Sequence, residues 1–219
     1  MRLVLLGPPG SGKGTQAKLL AARLGMAHIS TGDILREAVR TGTALGRQVR
    51  PFMERGTYVP DELVSALVRE RLSRDDAPKH FLLDGYPRTR AQAEALDRLL
   101  AEIGLALDAV VYLDVPDEII VHRITGRRVC PACGAVYHVE NQAPRQAGIC
   151  DVCGAELIQR EDDREETVRE RLRVFRQTVP EVVAYYAHQG NLLTVDGSAD
   201  VDTVHQALCD KLQEVTPGC

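Results

Sequence analysis

The chain has 219 residues, 44% of them hydrophobic and 26% charged, and a net charge of −4. That length buries one compact α/β core with an insertion or two and leaves no room for a second large domain, and the balance is that of a globular chain, not a disordered or membrane-embedded one. The acidic excess argues against a general nucleic-acid or anionic-membrane binder, yet it leaves room for small phosphates held by a few placed arginines and backbone amides.

Residues 2–6 form a short apolar run of strand type. The run ends in a glycine loop and not in a small-residue cleavage site, so no secretory leader is expected and a cytoplasmic location follows. A helix is predicted over 16–24 and a further short strand at His28-Ile29-Ser30. Residues 31–59 are helical in pattern but have no strand of their own; Gly32, Gly42, Gly46 and Gly56 punctuate a small helical subdomain. Beyond it, helices over 61–72, 90–103 and 117–124 alternate with strands at 80–83 and 109–115. Residues 126–163 break the alternation, and helix 164–187, strand 192–195 and helix 201–215 resume it. Short buried strands alternating with amphipathic helices predict a mostly parallel sheet covered on both faces. The longest apolar stretches, such as 109–113, are far too short to span a bilayer.

Gly7-Pro8-Pro9-Gly10-Ser11-Gly12-Lys13-Gly14-Thr15 follows the first strand and opens a helix, the context a phosphate-binding loop requires. Gly10, Ser11, Gly12, Lys13, Gly14 and Thr15 are the candidate triphosphate contacts. Glycines let successive amides converge on phosphate oxygens, the helix N-terminus adds a favourable dipole, and Lys13 supplies a point charge. The hydroxyl that usually follows the lysine arrives one place later, at Thr15.

A phosphate acceptor needs its own cationic grip, because phosphoryl transfer rests on placement and charge neutralisation. Thr31-Gly32-Asp33-Ile34-Leu35-Arg36 and Asp84-Gly85-Tyr86-Pro87-Arg88 supply two arginines. Thr31 is placed to cap the helix beginning near Asp33. Asp84 ends an apolar run, at the strand end where ligands of open parallel sheets bind, and is favoured over Asp114 for orienting magnesium-bound water because Arg88 follows it closely. Gln92 reads as an exposed residue of a first helical turn, and Val59, before Pro60, as a packing residue. Arg123 and Arg127 on one side of the 126–163 insertion and Arg160 on the other suit a flap that neutralises charge and excludes water on closing. Asp162, Asp163, Glu165 and Glu166 precede a helix whose N-terminal dipole they stabilise, a role set beside a catalytic one.

Cys130-Pro131-Ala132-Cys133-Gly134 and Cys150-Asp151-Val152-Cys153-Gly154 are two C-x-x-C knuckles with sixteen residues between them, a spacing that fits a tetrahedral zinc ribbon. Four thiolates leave no open coordination position, so such a zinc is structural and serves as the core of a segment poor in aliphatic residues. Cys209 and Cys219 stand apart from this pattern.

Taken together, Gly7 to Gln16, the Thr31–Arg36 and Asp84–Arg88 motifs and the flanking arginines resemble the nucleoside-monophosphate kinases, and in type, order and spacing their adenylate kinase branch, over nearly the whole chain. The resemblance implies an α/β P-loop nucleotide kinase. Its core would be 1–29, 60–125 and 164–219, with a monophosphate-binding helical insertion at 30–59 and a zinc-binding lid at 126–163. It implies reversible phosphoryl transfer between magnesium-bound ATP and AMP, giving two ADP, by a monomer. Lys13, Asp84, Arg88, Arg123, Arg160 and Arg171 would be catalytic. Arg127, Val136, Tyr137 and the backbone at Ala199 would join the loop around ATP. Thr31, Arg36, Thr57, Tyr58, Val59, Gly85, Tyr86, Pro87, Arg88, Gln92, Arg160 and Arg171 would surround AMP. Three rivals are weighed: a kinase for another monophosphate or using GTP, a switch GTPase, for which no Asn-Lys-x-Asp is found, and a nucleic-acid-binding zinc module, which leaves Lys13, Arg36, Arg88 and Arg171 without a purpose.

Overall fold

The computed structural model describes residues 1–73 and 79–215; Cys219 lies outside the described residues. Five parallel strands, β1 (Arg2–Leu6), β2 (Ala27–Ser30), β3 (Phe81–Asp84), β4 (Ala109–Asp114) and β7 (Leu192–Asp196), form one sheet in the order β2-β3-β1-β4-β7. The strand at His28-Ile29-Ser30 is therefore real and lies at the sheet edge.

Central β1 is buried on both sides because its alternate side chains feed different layers. Val4 and Leu6 join the cluster of Leu83, Leu96, Leu100, Val182 and Tyr186, beneath helices α4 (Asp61–Leu72), α5 (Arg90–Glu102) and α7 (Glu165–Gln189). Leu3 and Leu5 face the opposite layer, where Ala17 and Leu20 of α1 (Lys13–Leu24) meet Leu208 and Leu212 of α8 (Val201–Val215). Among the described residues no helix is long and apolar enough to cross a membrane.

Residues 31–56 carry two helices and no strand, α2 (Thr31–Arg40) and α3 (Ala44–Arg55). They touch at Gly46, where an added Cβ would lie 2.0 Å from the Ala38 carbonyl oxygen, so only glycine allows the approach. Helix α6 (Asp117–Thr125) packs Ile120 and Ile124 on Val168 and Leu172 of α7. It leads into a separate two-stranded antiparallel sheet, β5 (Arg127–Val129) with β6 (Val136–His138). This small unit has a core of its own, made of Cys130, Tyr137, Cys150 and Leu157.

Candidate active site

The phosphate loop leaves β1 and turns into α1, which begins at Lys13 and not at residue 16. Lys13 thus lies in the first helical turn, beside the free amides of the helix N-terminus. Gly10 has φ +80°, and a Cβ there would stand 2.5 Å from Ile124, so both conformation and space exclude a side chain. Lys13 Nζ donates to the Pro8 carbonyl at 2.7 Å and to Ser11 Oγ at 3.4 Å. Burial of the ammonium lowers its pKa to about 7; Asp84 opposes that shift, and Arg88, Arg171 and Arg127 reinforce it.

Asp84 ends β3 next to the loop, with its Oδ2 3.5 Å from where a Cβ on Gly14 would be. Asp114 ends β4 but is exposed and bonded by the Tyr112 hydroxyl, away from the loop lining. The choice between the two strand-end acids therefore rests on geometry as well as on sequence order. His28 Nε2 lies 3.4 Å from Asp84 Oδ2, a partner no motif had indicated.

Two local expectations change. Ser30, not Thr31, caps α2: its hydroxyl accepts from the Asp33 amide, while buried Thr31 donates from Oγ1 to the Asp84 carbonyl. Gln92 is 2% exposed and not a surface residue. Its Oε1 accepts from the Arg88 amide at 2.7 Å, and its Nε2 donates to Asp61 at 2.8 Å. Val59 is buried, as its place before Pro60 suggested. Arg88 donates from Nε to the Gly85 carbonyl at 2.8 Å and lies with Cζ 5.1 Å from the Tyr58 ring centre. The Tyr86–Pro87 peptide is cis.

The arginines of α6, α7 and the cysteine segment converge on the same space. Arg123 donates to the Gly197, Ser198 and Ala199 carbonyls, which explains how a backbone position at Ala199 enters the site whatever its side chain. Arg127 donates from Nε to the wholly buried Asp163 at 2.9 Å; burial is the largest single influence and opposes its charge, but the Asp163 hydrogen bond and the carboxylates of Asp163, Asp162 and Asp33 together outweigh it and raise its pKa. Asp162 accepts from Arg171 Nη1 at 3.0 Å and lies 3.9 Å from Arg36. Burial would lift the Asp162 pKa, yet Arg171 and Arg36 hold it below the usual carboxylate range. The acids at 162 and 163 thus pair with cleft arginines, whereas Glu165 and Glu166 occupy the first turn of α7. Burial, with Arg36 and Arg127 close by, lowers the Arg160 pKa to about 10, and burial likewise brings Arg171 to about 10. Cations depressed in this way gain from any anion that enters.

The four sulfurs of Cys130, Cys133, Cys150 and Cys153 lie within 4.8 Å of one another. Thiolates about 2.3 Å from a tetrahedral zinc would be about 3.8 Å apart, so the donor set fits that metal. Each knuckle closes identically, with Gly134 N bonded to the Cys130 carbonyl and Gly154 N to the Cys150 carbonyl.

One cavity of about 1030 Å³ joins these groups. Every residue the sequence assigned to a nucleotide lines it except Tyr86, whose side chain turns into the core to bond Ser65 and the Gln92 carbonyl. A glycine loop with a lysine at one end and a set of under-neutralised arginines around the other, on a parallel sheet of this order, define a P-loop nucleotide kinase.

The comparisons narrow the class. The family model for adenylate kinase matches residues 5–191. The adenylate kinase of Kosmotoga olearia is 50% identical over 215 residues, covering 98% of this chain and all of that one. Those of Symbiobacterium thermophilum, 52% identical over 93% of this chain and 94% of that one, and of Archaeoglobus fulgidus, 50% identical over 98% and 99%, are similar to the same extent. The chain belongs to the adenylate kinase family, and is an enzyme of the nucleoside-monophosphate kinase class.

Proposed function

We propose that the protein catalyses ATP + AMP ⇌ 2 ADP, acting as a monomer in the cytoplasm. The observation that carries this reading is the continuity of the cavity: the Lys13 loop and the arginines Arg36, Arg88, Arg160 and Arg171 line one space. ATP lies with its phosphates on residues 10–15 and its nucleoside toward Arg123, Arg127, Val136, Tyr137 and Ala199. AMP lies against Thr31, Arg36, residues 57–59, residues 85–88 and Gln92. In this reading 1–29, 60–125 and 164–219 are the core, 30–59 holds the monophosphate and 126–163 is the lid.

The AMP phosphate is already anionic, so an oxygen of it attacks the γ-phosphorus of ATP without a general base while ADP leaves as the phosphoryl acceptor becomes ADP in turn. Lys13, Arg88, Arg123, Arg160 and Arg171 align the two phosphates and neutralise the charge spread over the transferring group. Asp84, a hard oxygen donor at the loop, would hold magnesium, which when bound supplies further positive charge to the triphosphate oxygens. The four cysteines would hold zinc, and zinc would give the lid its fold without touching the reaction.

A coupled assay presenting AMP, GMP, UMP and CMP in turn with ATP tests the reading. AMP is expected to be consumed one for one with ATP, with two ADP formed, and the other three to react poorly. ADP forming at a comparable rate without any monophosphate would make the protein an ATPase.

A further inference from the structure

The hydrogen-bond network around Gln92 extends to a residue that no sequence motif brings into the site. Asp61 opens α4, where a first-turn carboxylate stabilises the helix dipole. Its two oxygens do something further. Oδ2 accepts from the Thr89 hydroxyl at 2.5 Å, and that hydroxyl caps α5 by accepting from the Gln92 amide at 3.2 Å. Oδ1 accepts from Gln92 Nε2 at 2.8 Å. The other end of the Gln92 amide faces the Arg88 backbone N–H, 2.7 Å from Oε1.

A primary amide carries two N–H donors on nitrogen and two lone pairs on oxygen, and can usually exchange its ends by rotation. Here the partners fix the orientation. A carboxylate only accepts, so nitrogen must face Asp61; a backbone N–H only donates, so oxygen must face Arg88. One N–H and one lone pair remain, on a side chain that lines the cavity among Leu35, Met53, Val59 and Val64. An apolar slot with a single oriented amide suits a planar base. The edge it offers, an acceptor beside a donor, complements the 6-amino group and N1 of adenine. It opposes the 6-oxo group and N1–H of a 6-oxopurine, which would require the amide reversed.

The geometry points to Asp61 as the positioning residue that sets purine choice at the acceptor site, by holding the Gln92 amide in the orientation that reads a 6-aminopurine. Asp61 touches no substrate; it acts through Gln92. The inference rests on AMP occupying this end of the cavity.

The test compares AMP with IMP, which differ only at position 6 and its coupled N1 proton, as acceptors with ATP. In Asp61→Ala the amide keeps one of its two constraints, and the ratio of kcat/KM for AMP to that for IMP should fall by about tenfold or more, the size of one lost oriented contact. Asp61→Asn, which can still present an oxygen to Gln92, should keep more of the ratio. Thr89→Val removes the cap and the second Asp61 contact but leaves Oδ1 on Gln92; it should lower the melting temperature and leave the AMP-to-IMP ratio at the wild-type value. An unchanged ratio in folded Asp61→Ala overturns the assignment, as does an equal loss in Thr89→Val, which would mean that loosening of α5 alone relaxes selection. Should the wild-type protein fail to use AMP at all, the acceptor-site reading itself falls, a result the variants do not resemble.

Discussion

Lys13 shows how far the residues of the cleft are from electrostatic balance among themselves. Its pKa of about 7, against an ordinary value near 10.5, means that the folded, unliganded protein binds fewer protons than the unfolded chain between those limits. The Lys13 contribution therefore penalises folding fully below about pH 7, and the penalty fades as pH rises toward 10.5. A triphosphate reverses the cause, because its oxygens replace lost water and favour the ammonium. ATP binding at pH 8 should take up close to one proton, and binding at pH 6 far less. Titration calorimetry in buffers of different ionisation enthalpy measures this directly, and uptake that persists in Lys13→Met would assign it elsewhere. Lys13, Arg88 and the cysteines were legible in the sequence because their partners lie in their own motifs. His28, Asp61 and the Asp163 partner of Arg127 were not, since each acts on a residue 31 to 56 positions away that only the fold brings near. Gln92 reads as exposed in the sequence because a first-turn glutamine ordinarily faces water, and nothing in the local pattern shows the Asp61 carboxylate beside it.

Helix ends carry much of the placement at the scale of elements. Gly56 closes α3 with φ +71°, and a Cβ there would meet the Thr167 carbonyl at 2.9 Å and Arg171 Cγ at 3.0 Å, both on α7. Gly25 closes α1 in a similar conformation, φ +62°, with open space around it. Alanine at either position should cost about 1–2 kcal/mol of stability from left-handed strain. Gly56→Ala should in addition push α7 and move Arg171, so its kcat/KM for AMP should drop at least several-fold while Gly25→Ala stays near wild type. Denaturant unfolding and steady-state rates on the two variants separate these effects, and equal activities would show that the α3–α7 contact is irrelevant to the arginine. The glycine at the end of α3 was readable as punctuation; what it approaches was not. Strand and helix order followed from periodicity, because buried parallel strands and amphipathic helices have different periods. The α2 cap was misplaced by one residue since Ser30 and Thr31 offer adjacent hydroxyls, and tertiary burial of Thr31 against Asp84 decides between them.

Among the described residues, the core of the sheet and that of the cysteine segment are separate and unequal. The sheet and its helices bury apolar layers on both faces of the sheet, whereas the cysteine segment has Val129, Tyr137 and Leu157 as its sizeable buried apolar side chains beside its sulfurs. Three such side chains supply roughly 4–9 kcal/mol of burial, too little to order a segment of this length. A zinc held by four thiolates is worth on the order of 10–16 kcal/mol in small zinc-binding peptides, so a zinc bound at these cysteines would dominate the folding of this segment. Because the two cores are separate, the loss should be local. Replacing Cys150 with serine should lower zinc content and introduce an early unfolding transition, leaving the melting of the main core in place; chelation of the wild-type protein should do the same. Lys13, Arg88, Arg123 and Arg171 lie outside 126–163 and only Arg160 of the phosphate-aligning set lies within it, so turnover measured well below the early transition, where the segment is still ordered, should persist. Abolished turnover in a variant shown by hydrogen exchange to keep residues 126–163 folded would give the metal a part in the chemistry, which four saturating thiolates should deny it. Unchanged melting after complete metal removal would instead mean that the small core of Val129, Tyr137 and Leu157 is sufficient, against the magnitudes above.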